Sequence, residues 1–279
     1  MKKLTKQSIL EYRRYLVEEE KSKATLKRYV SDIEDFYDWL GERELNKLNV
    51  LEYKECLINK YAVGSVNTMI SSLNSFFSFL EMFELRVRTV RVQKQIFAQK
   101  ERMLTKSEYE RLLLTAEARN NKRLYLLLQA ICSTGIRVSE LRFITVEAIC
   151  RGSAEICCKG KSRCAFLPAE LCKMLKAYVA EKKIKSGAVF VTNSGNPLDR
   201  SNIWSDMKKL CRAAGVPEEK VFPHNLRHLF ARTYYSREKD IVRLADILGH
   251  SSVNTTRIYT METGEIHRRQ IQRLGLLRH

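Results

Sequence analysis

The sequence predicts a mainly α-helical protein with a small amino-terminal domain and a larger carboxyl-terminal one. Apolar residues recur with helical spacing through residues 26–40 and again through residues 70–83. Residues 154–167 instead show the alternation and turn residues of a β-hairpin. A chain of 279 residues is long enough to form two domains with ordinary hydrophobic cores.

The amino-terminal domain is expected to be all-helical. A helix before residue 20, the helix of residues 26–40, a shorter one around residues 50–60 and the second apolar stripe supply its core. Gly41 suits the position just past a helix end. The aromatic residues in these stripes favour core packing over base stacking.

A basic edge surrounds the start of the second helix, beside Ser22 and Thr25. A helix amino terminus adds positive potential, so this edge fits contact with phosphates and equally fits an ordinary solvated face. Its basic members are Lys21, Lys23, Lys27 and Arg28.

Residues 85–92 alternate with the period of a β-strand, so an edge strand is one alternative for them. The stretch from Arg86 to Lys100 has no acidic residue. It therefore fits an extended segment lying along a polyanion, with Arg86, Arg88 and Arg91 as contacts.

The carboxyl-terminal domain begins with Thr105 and Glu108, spaced as a capping box at the start of a helix. Residues 124–132 are apolar almost all round, so they predict a buried helix, which Gly135 interrupts just before Arg137. In the hairpin, residues 154–158 and 164–167 are the expected strands, residues 159–162 the turn, and Pro168 the closing residue. The remainder is expected to be mostly helical.

The charge of the chain is large and uneven. Lys and Arg outnumber Asp and Glu by 50 to 32, a net charge of +18. Residues 1–95 hold 17 basic and 14 acidic groups, about +3, whereas residues 96–279 hold 33 and 18, about +15. Such an excess raises self-repulsion, so it indicates a polyanionic partner, namely nucleic acid.

Cysteines and hydropathy exclude several classes of protein. The eight cysteines include no Cys-x-x-Cys pair, so neither a structural zinc nor a disulfide framework is expected. Lys6 and Glu11 interrupt any apolar core of a leader, and no apolar run approaches the ~20 residues that span a bilayer. We expect a cytoplasmic protein with reduced thiols and no membrane partner.

Three clusters of reactive side chains lie in the larger domain. The first contains Arg137, the second His224 and Arg227, and the third His250 and Tyr259. Arginines can clamp the non-bridging oxygens of a phosphodiester, histidines can relay protons, and a tyrosine can become covalently attached. This combination predicts metal-free attack on a DNA phosphodiester.

These clusters resemble those of the tyrosine recombinases, also called the phage integrase family. The order of the clusters, the 23-residue step from Arg227 to His250 and the 9-residue step from His250 to Tyr259 all match the family. The resemblance extends to residues before 95, which are similar to the family's DNA-clamping domain. It implies a DNA breaking-rejoining fold: a SAM-like core-binding domain over residues 1–94, a basic linker over 95–103, and a catalytic domain over 104–279.

The resemblance also implies a mechanism. Arg137 and Arg227 would hold the phosphate, His224 would accept the proton of Tyr259, and His250 would support the phosphate. A lysine of the hairpin would protonate the departing 5′ oxygen: Lys159 by the family pattern. Because Pro168 stands one place later than in the family, Lys161 stays open both for this role and as a DNA contact.

Further implications concern partners and cofactors. The substrate would be double-stranded DNA carrying core sites in inverted repeat, with no metal or nucleotide cofactor, since the phosphotyrosine bond conserves the linkage energy. The protein would act as a homotetramer on DNA, assembled from a monomer or weak oligomer, and accessory proteins are compatible with this scheme. Residues 260–279 would dock on a neighbouring subunit.

Three other interpretations stay open from the sequence. A type IB topoisomerase shares this chemistry but relaxes supercoils. A DNA-binding regulator on the same fold would have lost catalysis, although all six expected residue types are present here. The four-residue step from His224 to His228 also suits a metal, but a zinc protease would need Glu where Asn225 stands.

Overall fold

The computed structural model describes residues 4–91, 100–158, 161–192, 194–259 and 271–274. The chain divides into two compact units, residues 1–94 and 95–279. The fold is mostly helical with one small sheet, as the sequence predicted.

The described part of the first unit contains four α-helices around one core. The helices are α1 Lys6–Glu18, α2 Lys23–Leu40, α3 Lys47–Lys60 and α4 Val63–Phe79. Aromatic side chains dominate this core, with Phe36, Phe76 and Phe77 fully buried. These aromatic residues therefore serve packing. Phe83, the last residue of the predicted second stripe, lies beyond α4 in a short 3-10 turn and is exposed.

Residues 86–91 form no β-strand, so the edge-strand interpretation was wrong. Two asparagines on α4 instead take the place of a neighbouring strand. The Asn74 amide accepts from the backbone N–H of Val87 and donates to its C=O, at 2.9 and 2.8 Å. Asn67 does the same for Val90, at 2.7 and 2.9 Å. The strand-like alternation arises because this extended segment buries Val87 against the helices while the arginines between stay exposed.

The second unit is built around α6, the apolar helix that the sequence predicted to be buried. Helices α5, α8 and α10 pack against it. The Thr105–Glu108 capping box opens α5, as predicted. Its described helices are α5 Lys106–Ala118, α6 Lys122–Thr134, α7 Val146–Arg151, α8 Ala169–Glu181, α9 Arg200–Ala214, α10 Pro223–Glu238, α11 Ile241–Leu248 and α12 Val253–Thr256.

The hairpin consists of β1 Ser153–Cys158 and β2 Lys161–Phe166, paired antiparallel with Cys158 opposite Lys161. The connection is thus two residues long, and the prediction that Lys161 and Ser162 belong to the turn was wrong. Alternation explains the difference: Ala165 faces the core while Cys164 and Phe166 face outward, and this pattern extends back to Ser162.

Candidate active site

Arg137 follows the turn between α6 and a 3-10 helix, Val138–Phe143. Glu140 holds it twice, since its carboxylate accepts from the Arg137 backbone N–H and from Nη1, each at 2.8 Å. Nη2 lies 3.3 Å from the carbonyl oxygen of Gly249. The side chain remains 39% exposed, so its guanidinium is oriented by the protein yet open to a ligand.

Arg227 on α10 is almost fully buried, with 1% of its surface exposed. Its Nη1 donates to the Gly135 carbonyl at 2.6 Å, and its Nη2 donates to the Leu248 carbonyl at 2.7 Å. Nη2 also lies 3.0 Å from His250 Nε2. Burial, aided by Arg137, lowers the pKa of Arg227 to about 10, so it stays charged at neutral pH.

The tautomer of His250 follows from these contacts. Arginine can only donate, so His250 Nε2 must accept from Arg227, and the ring proton lies on Nδ1. Nδ1 then donates to Thr256 Oγ1, which is 2.8 Å away and fully buried. Burial and the charges of Arg227 and Arg137 lower the pKa of His250 to about 4, so the ring is neutral at pH 7.

Tyr259 ends a 3-10 turn, Arg257–Tyr259, and is only 4% exposed. Its ring stacks on His250 with centroids 6.1 Å apart and meets His228 edge to face at 4.9 Å. Burial raises the pKa of the phenol, while a hydrogen bond with Arg227 and the charges of Arg227 and Arg137 oppose that rise. The tyrosine oxygen therefore faces the group that would stabilise its anion.

His224 and His228 form a pair one turn apart on α10. Their ring centroids are 4.6 Å apart, and His224 is the exposed member. Burial lowers the pKa of both rings, to about 4 for His228. His228 Nε2 is buried without a hydrogen-bond partner among the described residues. The His228 ring thus contacts both the Tyr259 ring and the exposed ring of His224.

A cleft of about 400 Å³ opens beside these groups, lined by Arg137, His224 and Arg227. Helix α9 forms another part of its wall with Arg200 and Trp204, neither of which the sequence identified. Trp204 is half-exposed. Among the described residues, no cluster of His, Cys, Asp or Glu could hold a metal ion.

The structure brings together five of the six predicted catalytic residues: Arg137, His224, Arg227, His250 and Tyr259. Lys159 lies outside the described residues. Lys161 begins β2, and its side chain is also outside the description.

The predicted DNA contacts Lys21, Lys23, Lys27 and Arg28 are all exposed on the first unit, at the start of α2. Arg28 Nε lies 3.9 Å from Asp32, and Lys21 Nζ lies 3.8 Å from Glu19. Arg86, Arg88 and Arg91 are exposed as well. Of the proposed linker 95–103, residues 95–99 are outside the described residues, as are 260–270 and 275–279 of the tail.

Three residues that the sequence did not single out support the site. Thr256 fixes the ring of His250, and its sequence context gives no signal of that role. Glu140, which holds Arg137, also binds Arg163 Nη2 at 2.5 Å. The sequence could have identified Arg163, because it is a charged residue at an inward-facing position of an alternating strand.

Both the backbone conformation and the packing at position 135 require glycine. Its φ is +65°, and a Cβ there would lie 2.4 Å from the ring of Phe230. Gly135→Ala should therefore lower the free energy of unfolding by about 2–4 kcal/mol, combining left-handed backbone strain with overpacking. Denaturant unfolding measures this, with Gly64→Ala as the control, since a Cβ at Gly64 meets nothing within 4 Å and φ is ordinary there. Equal stability of the two variants would contradict the packing described.

Family models match nearly the whole chain. The model of the phage integrase family matches residues 102–265, and that of the phage integrase N-terminal SAM-like domain matches residues 9–82. The chain belongs to the phage integrase family. Among the described residues, none of the helices combines the length and apolar character needed to cross a membrane.

Similar proteins include tyrosine recombinases from bacteria and archaea. Tyrosine recombinase XerC of Staphylococcus saprophyticus is 33% identical over 272 residues, covering 89% of this chain and 90% of the relative. Tyrosine recombinase XerA of Pyrococcus furiosus is 29% identical over 290 residues, covering 99% and 96%. The predicted recombinase family is confirmed.

Solved structures share the fold. A lambda integrase (residues 75–356) dimer bound to a COC′ core site superposes with a TM-score of 0.74 at 19% identity, covering 94% of this chain and 97% of that one. XerH site-specific recombinase bound to palindromic difH substrate, a post-cleavage complex, gives 0.70 at 21% identity, covering 88% and 79%. The predicted helical fold, SAM-like domain included, is confirmed.

Proposed function

We propose that this protein is a site-specific recombinase that cleaves and rejoins double-stranded DNA through a 3′-phosphotyrosine bond to Tyr259. The observation that carries the proposal is the hydrogen bond between Tyr259 and Arg227, with the charge of Arg137 nearby and His250 and His228 against the tyrosine ring. A phenol in such a setting can attack a phosphate whose negative charge the two guanidiniums neutralise.

The two arginines have different roles at the phosphate. Arg227 donates to Gly135, Leu248 and His250, which fixes the plane of its guanidinium. Its Nε is buried without a hydrogen-bond partner among the described residues. Arg137 offers a second, more exposed guanidinium from the segment between α6 and the 3-10 helix Val138–Phe143. Because both are held before the substrate arrives, they favour the extra charge of the transition state over the ground state.

Proton transfers complete the reaction. Tyr259 must lose its phenolic proton as it attacks, and we assign its acceptance to His224, the exposed end of the histidine pair. His250, whose Nε2 accepts from Arg227, supports the phosphate by holding that guanidinium in place. The departing 5′ oxygen takes its proton from Lys159, or from Lys161 at the start of β2.

Rejoining to a different 5′ hydroxyl turns cleavage into strand exchange. Since the phosphotyrosine bond conserves the linkage energy, the cycle needs neither ATP nor metal. We further propose a homotetramer on two sites, with the tail 260–279 docking on a neighbouring subunit; Ile271 and Leu274 of that tail are exposed. The reaction would take place on DNA in the cytoplasm.

The test begins without a known site. Random duplex fragments are incubated with the protein, covalent adducts are isolated after denaturation, and the attached DNA is sequenced. Two copies of a captured site are then placed in direct repeat on a supercoiled plasmid. Recombination predicts two smaller circles of defined size. Relaxed plasmid of unchanged size would instead assign a topoisomerase, and failure to capture any adduct would overturn the proposal.

DNA binding should weaken steeply with salt. If residues 96–279, with a net charge of about +15, neutralise six or more phosphates, affinity should fall about a thousandfold between roughly 50 and 200 mM salt. Equilibrium binding of a captured duplex at several salt concentrations gives the slope. A flat dependence would contradict the view that this charge serves DNA.

A further inference from the structure

Strand β2 carries an arginine where an apolar residue would be ordinary. Arg163 pairs with Ile156 in the sheet and lies on the inward face, together with Ala165. Its side chain is only 14% exposed. A buried charge is costly unless it is paired, so the contacts of Arg163 show what it stabilises.

Arg163 contacts Glu140, which orients Arg137, and also the backbone of the turn that carries the Gly249 carbonyl. Its Nη2 donates to Glu140 Oε2 at 2.5 Å, while Oε1 of the same carboxylate accepts from Arg137. Its Nη1 donates to the Ile247 carbonyl at 2.7 Å, two residues before Gly249, whose carbonyl oxygen faces Arg137 Nη2.

The Arg163 side chain also explains Gly249. A Cβ on Gly249 would lie 2.3 Å from Arg163 Cδ. The absence of a side chain on Gly249 therefore makes room for the Arg163 side chain. Gly249 has a φ of +64° and precedes His250. The arginine thus lies under the end of α11, where the chain turns toward the site.

We infer that Arg163 is a positioning residue for Arg137. It holds the Glu140 carboxylate and the 247–249 turn at once, and these two contacts set the plane of the Arg137 guanidinium. The position of Arg137 then depends on β2. This inference rests on the proposed function, because the effect of misplacing Arg137 is felt only at a bound phosphate.

The chain offers a matched control. Arg123 makes the same two kinds of contact elsewhere in the second unit, since its Nη1 donates to the Val191 carbonyl at 3.0 Å and its Nη2 to Asp206 at 3.3 Å. Arg163→Met and Arg123→Met each remove one such arginine. Both variants are first compared with the wild type by thermal unfolding.

The decisive measurement is the single-turnover rate of covalent adduct formation on a captured duplex. One substrate carries the ordinary scissile phosphate and the other a methylphosphonate there, which removes the charge that Arg137 would neutralise. We expect Arg163→Met to lose about a hundredfold on phosphate, as misplacement of a positioning contact typically costs, but under tenfold on methylphosphonate. Arg123→Met should change neither rate by more than about threefold.

Each other outcome counts against the inference. An equal loss on both substrates would assign Arg163 a general structural role, and no loss would remove it from the site. If Arg163→Met unfolds at the assay temperature, Arg163→Lys replaces it. We then expect a smaller loss of rate, which is again larger on phosphate than on methylphosphonate. Adduct formation by the wild type tests the covalent step of the proposed function independently, whereas its absence would overturn both.

Discussion

Tyr259→Phe should abolish formation of the covalent protein–DNA adduct while leaving DNA affinity within about twofold of the wild type. The substitution removes the attacking oxygen and no charge, and electrostatic contacts with phosphates dominate binding. The ring itself can keep its stacking on His250 and its edge contact with His228. A denaturing gel of labelled captured duplex measures the adduct, and equilibrium binding measures the affinity.

A matched control for this variant is Tyr235→Phe, on the neighbouring helix α10 and in the same small hydrophobic cluster as Tyr259. It should keep the adduct rate near that of the wild type. An adduct band with Tyr259→Phe would show that another side chain is the nucleophile.

Arg227→Lys should reduce the adduct rate by about a thousandfold or more and also destabilise the fold. A single ammonium cannot reproduce donors that reach the Gly135 carbonyl, the Leu248 carbonyl and His250 at once. Loss of one preorganised donor at a reacting oxyanion already costs about 10²–10³ in rate. Carbonyls left without partners should lower the free energy of unfolding by about 2–4 kcal/mol.

The control for Arg227 is Arg232→Lys, further along α10. Arg232 Nη2 donates to the Leu104 carbonyl at 2.7 Å, so the same chemical change is made away from the tyrosine. It should alter stability but leave the adduct rate within about threefold at a temperature where both variants are folded. Near-normal catalysis by Arg227→Lys would reduce Arg227 to a structural residue.

Local sequence rules predicted the helical part of the fold well because their causes are local. The capping box of α5 needs only Thr105 and Glu108 three residues apart, and both of its hydrogen bonds form. Gly135 was expected to break α6 before Arg137, and it does so in a left-handed conformation. The cluster spacings, read through the family, likewise identified five side chains that the structure brings together.

Other features escaped the sequence because they depend on partners distant along the chain. The pairing of Val87 and Val90 with Asn74 and Asn67 cannot be read from residues 85–92 alone, so their alternation suggested a strand. The role of Arg163 depends on Glu140, 23 residues away, and on Ile247, 84 residues away.

A similar limit affected the histidines. Spacing could identify His224, but only the folded positions show that the ring contacting Tyr259 edge-on is that of His228. Periodicity could not reveal the hydrogen bonds that join Arg227 to His250 and His250 to Thr256. Arg227 lies on α10, whereas His250 follows α11 and Thr256 lies on α12.

The central claim is that Tyr259 itself becomes joined to a 3′ DNA end without a metal ion. The most direct measurement is mass spectrometry of the adduct formed in EDTA, after nuclease and protease digestion, together with end analysis of the released strand. We predict a nucleotide attached through phosphate to the peptide containing Tyr259, and a 5′ hydroxyl that a kinase labels without prior phosphatase. An adduct on another residue, a 5′ phosphate on the released strand, or cleavage that appears only when magnesium is restored would contradict the account.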